Sequence, residues 1–118
     1  IPVPLHKTTK RERSFNQAEL IANIIGEIGK IPVCINAITK SKKTDEQKNL
    51  DKNLRKINIK GAFTVMKKSL INKKRVLLVD DVCTTGNTLA EITAILLEND
   101  AMEVYCASCC KTPTFPTK

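Results

Sequence analysis

Residues 76–88 read VLLVDDVCTTGNT, and this stretch decides the fold class. Its first four residues are a continuous apolar run, typical of a strand in a sheet that is covered on both faces. Two carboxylates follow directly, and small hydroxyl residues with one glycine then lead into a helix. The spacing of apolar residues predicts that this helix runs from about Asn87 to Glu98 and buries Leu89, Ile92, Ile95 and Leu96.

Upstream of this stretch, the sequence predicts one strand end and one helix. Ile1–Leu5 is interpreted as the end of a strand interrupted by prolines. Ser14 and Gln17 form an S-x-x-Q capping box at the start of the helix, and Gly29 ends it. Apolar residues at i, i+3, i+4 and i+7 predict the buried face of this helix, which consists of Ile21, Ile24, Ile25 and Ile28.

Further strands are predicted at Val33–Ile38, Gly61–Met66 and Val104–Ala107, with a turn over residues 67–74. Strands that alternate with helices indicate an α/β fold with a mainly parallel sheet flanked by helices. Ligands of such sheets bind at the carboxyl ends of the strands. The residues that follow Val79 are therefore the first candidates for a functional site.

Length and composition bound the class of protein. The chain has 118 residues, 42% of them apolar and 27% charged, which predicts a single domain over residues 1–118 and excludes a wholly disordered chain. No apolar run approaches the roughly 20 residues that span a bilayer. The start, Ile-Pro-Val-Pro, lacks Met, a basic region and an apolar signal region, so we expect a cytoplasmic protein without a signal peptide, or a fragment of a longer one.

Charge is unevenly distributed along the chain. Residues 1–75 carry a net charge of +12 and residues 76–118 a net charge of −4. Attraction to nucleic acid, pyrophosphate or a phosphorylated substrate would explain the basic half, but so would a solvated lysine-rich surface. Residues 39–60 hold eight of the basic residues and few apolar ones, and a segment of this length indicates a functional loop or hood with a short helix near residues 50–57.

The five cysteines do not form a disulfide framework. Cys34, Cys83 and Cys106 lie in or beside apolar runs, where thiols usually pack as small hydrophobic groups. Cys106, Cys109 and Cys110 form a C-x-x-C-C cluster that lacks the second ligand pair of a zinc site. Strand cysteines of a reduced protein and a metal or redox cluster both remain open interpretations.

The loop after the central strand combines two kinds of ligand chemistry. A helix N-terminus preceded by Gly86 favours a phosphate, and the hydroxyls of Thr84, Thr85 and Thr88 add donors. The carboxylates of Asp80 and Asp81 would repel a phosphate unless a sugar diol or a bridging Mg²⁺ lies between them. A ribose 5-phosphate satisfies both halves. The P-loop and dinucleotide-binding patterns are absent from the sequence.

The stretch closely resembles the phosphoribosyl diphosphate (PRPP) motif of type I phosphoribosyltransferases. Two further blocks resemble the ComF/GntX competence-type branch of that family. The first is VPLH (residues 3–6) with RERSFNQA (residues 11–18), and the second is the pattern T-x-x-Q-x-x-L to GAF over residues 44–63. Ser14 departs from the family's usual glycine, and the cysteine-rich zinc segment that often begins family members is absent from the sequence given. The resemblance implies a type I phosphoribosyltransferase-like fold with a small hood over residues 39–60.

The resemblance also implies roles for individual residues. Asp80 and Asp81 would bind ribose and act as the catalytic or general-base candidates, with Mg²⁺ held through the ligand and possibly by these two carboxylates rather than in a protein cage. The PRPP site would comprise Asp80, Asp81, Val82, Cys83, Thr84, Thr85, Gly86, Asn87 and Thr88. Pyrophosphate would be bound by Lys10, Arg11 and Arg13, and the lid would use Gln47 and Arg55. The alternative interpretation of these basic and lid residues is solvated helix and loop surface. His6 could orient a ligand near the end of the first strand, or be a structural or exposed histidine.

Three functions remain open at this point. The first is a Mg²⁺-dependent phosphoribosyltransferase that displaces pyrophosphate from PRPP with a base or amine. The second is a non-catalytic module that binds PRPP or a nucleotide. The third, implied by the family, is an accessory role in natural competence with a helicase-type partner and weak single-stranded DNA binding, which would fall with salt. The scarcity of aromatic residues argues against base stacking, and a homodimer is compatible with the family.

Charge reversal at Arg11 and Arg13 is expected to weaken PRPP and pyrophosphate binding more than ribose 5-phosphate binding, because an arginine fork binds diphosphate oxygens bidentately. Calorimetric titration of the double variant with the three ligands measures this. Equal losses for PRPP and ribose 5-phosphate would remove both arginines from the pyrophosphate site.

Overall fold

The computed structural model describes residues 1–6, 15–41, 61–83 and 85–111. Predictions that concern residues 7–14, 42–60, 84 and 112–118 lie outside these ranges. The elements are, in chain order, α1 (Gln17–Gly29), β1 (Ile38–Lys40), β2 (Phe63–Val65), a 3-10 turn (Lys68–Leu70), β3 (Arg75–Cys83), α2 (Asn87–Glu98) and β4 (Glu103–Lys111). No helix in the described ranges is long and apolar enough to cross a membrane.

The N-terminal segment, residues 1–6, joins two pairs of strands into one sheet. β3 pairs with β4 in parallel, and β1 pairs with β2 antiparallel. The Val79 nitrogen donates to the Ile1 carbonyl at 2.9 Å, and the Val3 nitrogen donates to the Val79 carbonyl at 2.8 Å. A second parallel bridge joins His6 to Lys40. The resulting order is β4, β3, N-terminal segment, β1, β2, which confirms the predicted α/β fold with a mainly parallel sheet.

The main core lies between this sheet and α2. Leu78 of β3 packs with Ile92 and Leu96 of α2, and all three side chains are fully buried. The helix bounds agree with those predicted from the sequence, and so does the buried face, with Ile95 partly buried at its border. The strongest local signals of the sequence are thus confirmed.

The predicted buried face of α1 is wrong for Ile24 and Ile28, whereas Ile21 and Ile25 are half-buried. Its buried residues are Ala18, Ala22 and Gly26, whereas Ile24 is 57% exposed and Ile28 is 80% exposed. The segment that follows the helix packs closely on this face, since a β-carbon at Gly26 would overlap the Val33 side chain. A pattern based on large apolar residues therefore did not identify the small residues that are the most buried on this helix.

The predicted start of α1 is also wrong. The N-cap is Asn16, whose side-chain oxygen accepts a hydrogen bond from the Ala18 nitrogen at 3.0 Å, so the cap lies two positions after the predicted one. The Asn16 amide also donates to the Val3 carbonyl at 3.0 Å, which ties α1 to the N-terminal segment. The helix ends at Gly29 as predicted, but the left-handed residue that terminates it is Lys30, with φ of 54°.

The remaining strand predictions differ from the structure mainly at their bounds. Val33–Ile38 is not a strand, since only its last residue belongs to β1, although Ala37 and Ile38 are fully buried. Burial without strand pairing explains this apolar run. β3 extends beyond Val76–Val79 at both ends, because polar residues continue the ladder with β4 as far as the pair of Cys83 with Lys111.

Gly26→Ala is expected to destabilise the protein by about 1–3 kcal/mol, because overpacking at a close contact costs this much. A β-carbon at this position would overlap the Val33 side chain and lie 2.8 Å from the Ile31 carbonyl oxygen. Gly29→Ala is the matched control: its β-carbon would meet only the flexible end of Ile31 at 3.2 Å. Denaturant unfolding measures both variants, and equal stability losses would contradict the close packing of α1.

Candidate functional site

The carboxyl ends of three parallel segments meet at one cavity of about 320 Å³. Asp80 and Asp81 line it from the C-terminal half of β3, Lys40 from the end of β1, and Leu5 from the N-terminal segment. The other lining residues are Val3, Pro4, Phe63, Val82, Cys83, Gly86, Thr88 and Leu89. We call this space the carboxylate cavity.

Asp80 is the most perturbed acid of the carboxylate cavity. Burial, together with a hydrogen bond to Asp81 and the charge of that residue, raises the pKa of Asp80 to about 7. The charge of Lys40 opposes this shift. Burial in turn lowers the pKa of Lys40, and the Asp80 carboxylate opposes that change. The ionised form of Asp80 is therefore only partly compensated by the protein.

Both carboxylates are oriented by the backbone that follows them. The Asp81 nitrogen donates to Asp80 Oδ1 at 2.8 Å, and the Val82 nitrogen donates to Asp81 Oδ1 at 2.8 Å. These local bonds fix each carboxyl group relative to the end of β3. The two acids form a preoriented pair that can accept hydrogen bonds from neighbouring hydroxyl groups or bind a cation.

The N-terminus of α2 borders the same cavity. Gly86 precedes the helix in a left-handed conformation with φ of 82°, and nothing lies within 4 Å of where a β-carbon would project. The Asn87 nitrogen donates to Thr85 Oγ1 at 3.3 Å, while the buried Nδ2 of Asn87 has no hydrogen-bond partner in the described part of the chain. An unpartnered donor beside a helix N-terminus suits an oxygen-rich anion.

Most of the predicted PRPP-binding residues are brought together. The carboxylate cavity collects Asp80, Asp81, Val82, Cys83, Gly86 and Thr88, and Thr85 and Asn87 lie in the adjoining turn of chain. Thr84 lies outside the described residues. His6 lines a neighbouring cavity of about 700 Å³, which shares Pro4, Leu5 and Lys40 with the carboxylate cavity.

Lys40 and Phe63 also belong to the site, although no sequence motif identified them as site residues. Lys40 was assigned only to the hood segment, although its Nζ lies 5.8 Å from the centre of the buried Phe63 ring and its charge reaches Asp80. A basic residue at the end of a strand was the only sequence signal. Its proximity to Asp80 depends on the pairing of β1 with the N-terminal segment.

The predicted pyrophosphate and lid residues lie outside the described part of the chain. These are Lys10, Arg11, Arg13, Gln47 and Arg55. The described chain stops at His6 and at Ser41 and resumes at Gly61, whose nitrogen donates to Glu91 Oε1 of α2 at 3.2 Å. Ser41 is joined to Ala62 by a backbone hydrogen bond of 2.8 Å. Both ends of the predicted hood thus lie beside strands that line the cavity.

Cys106, Cys109 and Cys110 are exposed on β4 and free of disulfides, so the prediction that Cys106 packs as a small hydrophobic group is wrong. Cys106 Sγ lies 3.6 Å from Thr93 Oγ1. No group of three or more metal-binding side chains is assembled among the described residues. Cys34 and Cys83 are half-buried, in agreement with packing beside the core.

The pKa of Asp80 predicts a pH-dependent stability in the ligand-free protein. The folded form holds this proton up to about pH 7, whereas the unfolded chain releases it near the ordinary aspartate pKa of 3.8. Stability from this group is therefore lost as pH rises from about 4 to about 7. Asp80→Asn is expected to stabilise the protein at pH 8 by on the order of 1–2 kcal/mol after solvent screening, and to change little at pH 4.

Thermal and denaturant unfolding at both pH values measures this effect. Glu98→Gln removes an exposed carboxylate at the far end of α2 and serves as the control. Parallel pH profiles of Asp80→Asn and the unmodified protein would contradict the burial of an uncompensated charge.

Comparison with known proteins identifies the family. The phosphoribosyl transferase domain model matches residues 12–114. The chain is 37% identical to competence protein F of Haemophilus influenzae over 88% of its length, 34% identical to DNA utilization protein YhgH of Escherichia coli over 95%, and 30% identical to competence protein ComFC of Bacillus subtilis over 83%.

The aligned regions cover 46%, 48% and 38% of those three relatives, so the chain spans about half or less of the length of the curated proteins that it matches. No solved structure matches the chain. The family match covers the central strand, the two carboxylates and the start of α2. The chain therefore belongs to the phosphoribosyl transferase domain family and is similar to its ComF-type members.

Proposed function

We propose that the carboxylate cavity binds PRPP together with Mg²⁺. The observation that carries the proposal is the alternation of charge around one cavity. Lys40 contributes positive charge on β1, and the carboxylates of Asp80 and Asp81 line the same space. The adjoining N-terminus of α2 contributes Asn87 Nδ2, a buried donor without a hydrogen-bond partner among the described residues. PRPP has an anionic group at each end and two ribose hydroxyls between them, so it complements this arrangement.

The described residues fit both the sugar and the cation. Asp80 is buried enough to raise its pKa to about 7, which means that its ionised form lacks full compensation. Hydroxyl donors of ribose or a divalent cation would supply that compensation. Asp80 and Asp81 are the carboxylates available to hold Mg²⁺, which would supply neutralisation of the diphosphate charge.

Each protein group has a distinct part in the proposed chemistry. The paired carboxylates hold and orient the ribose, and the turn at Gly86 with the first residues of α2 binds the 5-phosphate. Lys40 stabilises negative charge that develops on the leaving diphosphate, with Lys10, Arg11 and Arg13 as further candidates. The hood, with Gln47 and Arg55, would exclude water from a cationic sugar centre. Transfer to a base or amine nitrogen would release pyrophosphate.

The names of similar proteins support a proposal for the cellular role. The chain is similar to proteins called competence protein F and DNA utilization protein, so we propose a cytoplasmic role linked to natural competence or DNA use. The net charge of +12 in residues 1–75 supports contact with DNA phosphates, and a helicase-type partner is part of this proposal. In that setting PRPP binding serves either transfer or signalling, and release of pyrophosphate with a panel of bases and amines separates the two.

Asp80→Asn combined with Asp81→Asn is expected to weaken PRPP binding by at least about tenfold, because each variant replaces a charged acceptor by a neutral one. Calorimetric titration at pH 8, with and without Mg²⁺, measures this loss in a folded sample. Glu98→Gln is the matched control for removing an exposed acid elsewhere on the chain. Unchanged PRPP affinity in the folded double aspartate variant would refute the ribose assignment.

Lys40→Gln tests the orientation of the ligand in the same titration. The variant is expected to weaken PRPP and pyrophosphate binding more than ribose 5-phosphate binding, since only the first two carry a diphosphate. A larger loss for ribose 5-phosphate in Lys40→Gln would place the 5-phosphate, and not the diphosphate, at Lys40.

A further inference from the structure

The outer edge of β4 is a surface without a described partner. β4 is nine residues long and pairs with β3 along one edge, and no other described strand pairs with its second edge. Edge strands offer rows of backbone donors and acceptors for pairing, and proline, central charges or bulges usually block them. The sequence of β4, EVYCASCCK, contains no proline and carries its charges only at the two ends, Glu103 and Lys111.

We propose that β4 pairs antiparallel with β4 of a second copy of this chain, with the two-fold axis at Ala107. In this register Glu103 of each copy lies opposite Lys111 of the other, so both ends of the shared ladder carry an ion pair. Tyr105 lies opposite Cys109, and the small Ala107 lies opposite itself. The chemistry of β4 is therefore complementary to its own reversed sequence.

The charge pattern selects this register over its neighbours. With the axis moved to Ser108, Glu103 would lie opposite residue 113 and Lys111 opposite Tyr105, so neither ion pair would form. With the axis at Cys106, Glu103 would lie opposite Cys109. Opposite charges directly across a strand pair are favourable, and the axis at Ala107 forms both Glu103–Lys111 ion pairs at once.

Glu103 is already positioned for such a contact. The Tyr105 hydroxyl donates to Glu103 Oε2 at 2.7 Å, and Arg75 Nε lies 3.6 Å from the same oxygen. Tyr105 itself is 57% exposed, and its side chain would be covered by the second copy. The carboxylate is thus held at the start of the strand, which reduces the ordering that pairing requires.

Zero-length carbodiimide cross-linking tests the register directly. Glu103 and Lys111 are eight positions apart on one extended strand, about 26 Å, so the reagent cannot join them within a chain. A mixture of ¹⁵N-labelled and unlabelled 118-residue chains is expected to yield hybrid peptides that link Glu103 to Lys111. Their absence, or a monomer in sedimentation at all concentrations up to 100-fold above that of the binding experiments, would overturn the proposal.

Charge exchange provides the independent test. Glu103→Lys and Lys111→Glu are each expected to raise the dimer dissociation constant several-fold, whereas the variant carrying both is expected to restore it, because each ion pair is then reformed with reversed sign. The altered contact of residue 103 with Arg75 is common to Glu103→Lys and the double variant, so restoration cannot arise from that contact.

Glu98→Lys and Lys67→Glu make the same charge changes at exposed positions away from β4 and serve as controls. A double variant that remains as weak as the single variants would overturn the register. Dimers that form without the Glu103–Lys111 linkage would show that another surface is used, and would equally overturn the proposal.

Discussion

Two backbone hydrogen bonds at Val79 hold the two halves of the sheet together. Through them the N-terminal segment lies between β3 and β1, and its bridge to Lys40 completes the connection. Without this segment the antiparallel pair β1–β2 would have no described strand linking it to β3–β4. The proximity of Lys40 to Asp80 depends on that link, and so does the carboxylate cavity. A short stretch of irregular strand thus determines the electrostatics of the candidate site.

The same connection reaches the helices. Asn16 caps α1 and donates to the Val3 carbonyl, so one buried amide joins a helix start to the N-terminal segment. On the other face of the sheet, Leu78 fixes β3 against Ile92 and Leu96 of α2. The strand that carries the two acids is therefore held from both faces. This rigidity lets the protein keep a half-buried carboxylate pair whose charge is only partly compensated in the ligand-free state.

Local sequence patterns predicted the elements whose buried residues can be recognised from the spacing of their own large apolar residues. The apolar run at residues 76–79 and the helix over Asn87–Glu98 follow from periodicity alone, and the loop between them identified the acidic pair. The same patterns failed in part for α1, because its most buried residues are the small Ala18, Ala22 and Gly26, and Gly26 lies against Val33 of the segment after the helix. They failed again at Val33–Ile38, since burial of apolar residues does not require strand pairing.

The sequence by itself determined the α/β class, the central strand, the helix that follows it and the chemistry of Asp80, Asp81 and Gly86, because these features depend on residues that are neighbours along the chain. Only the tertiary structure decided which cation lies beside Asp80, which face of α1 is buried and which edge of the sheet is left unpaired among the described strands. Lys40 is 40 positions from Asp80. Its place in the site results from strand order, which no local spacing encodes.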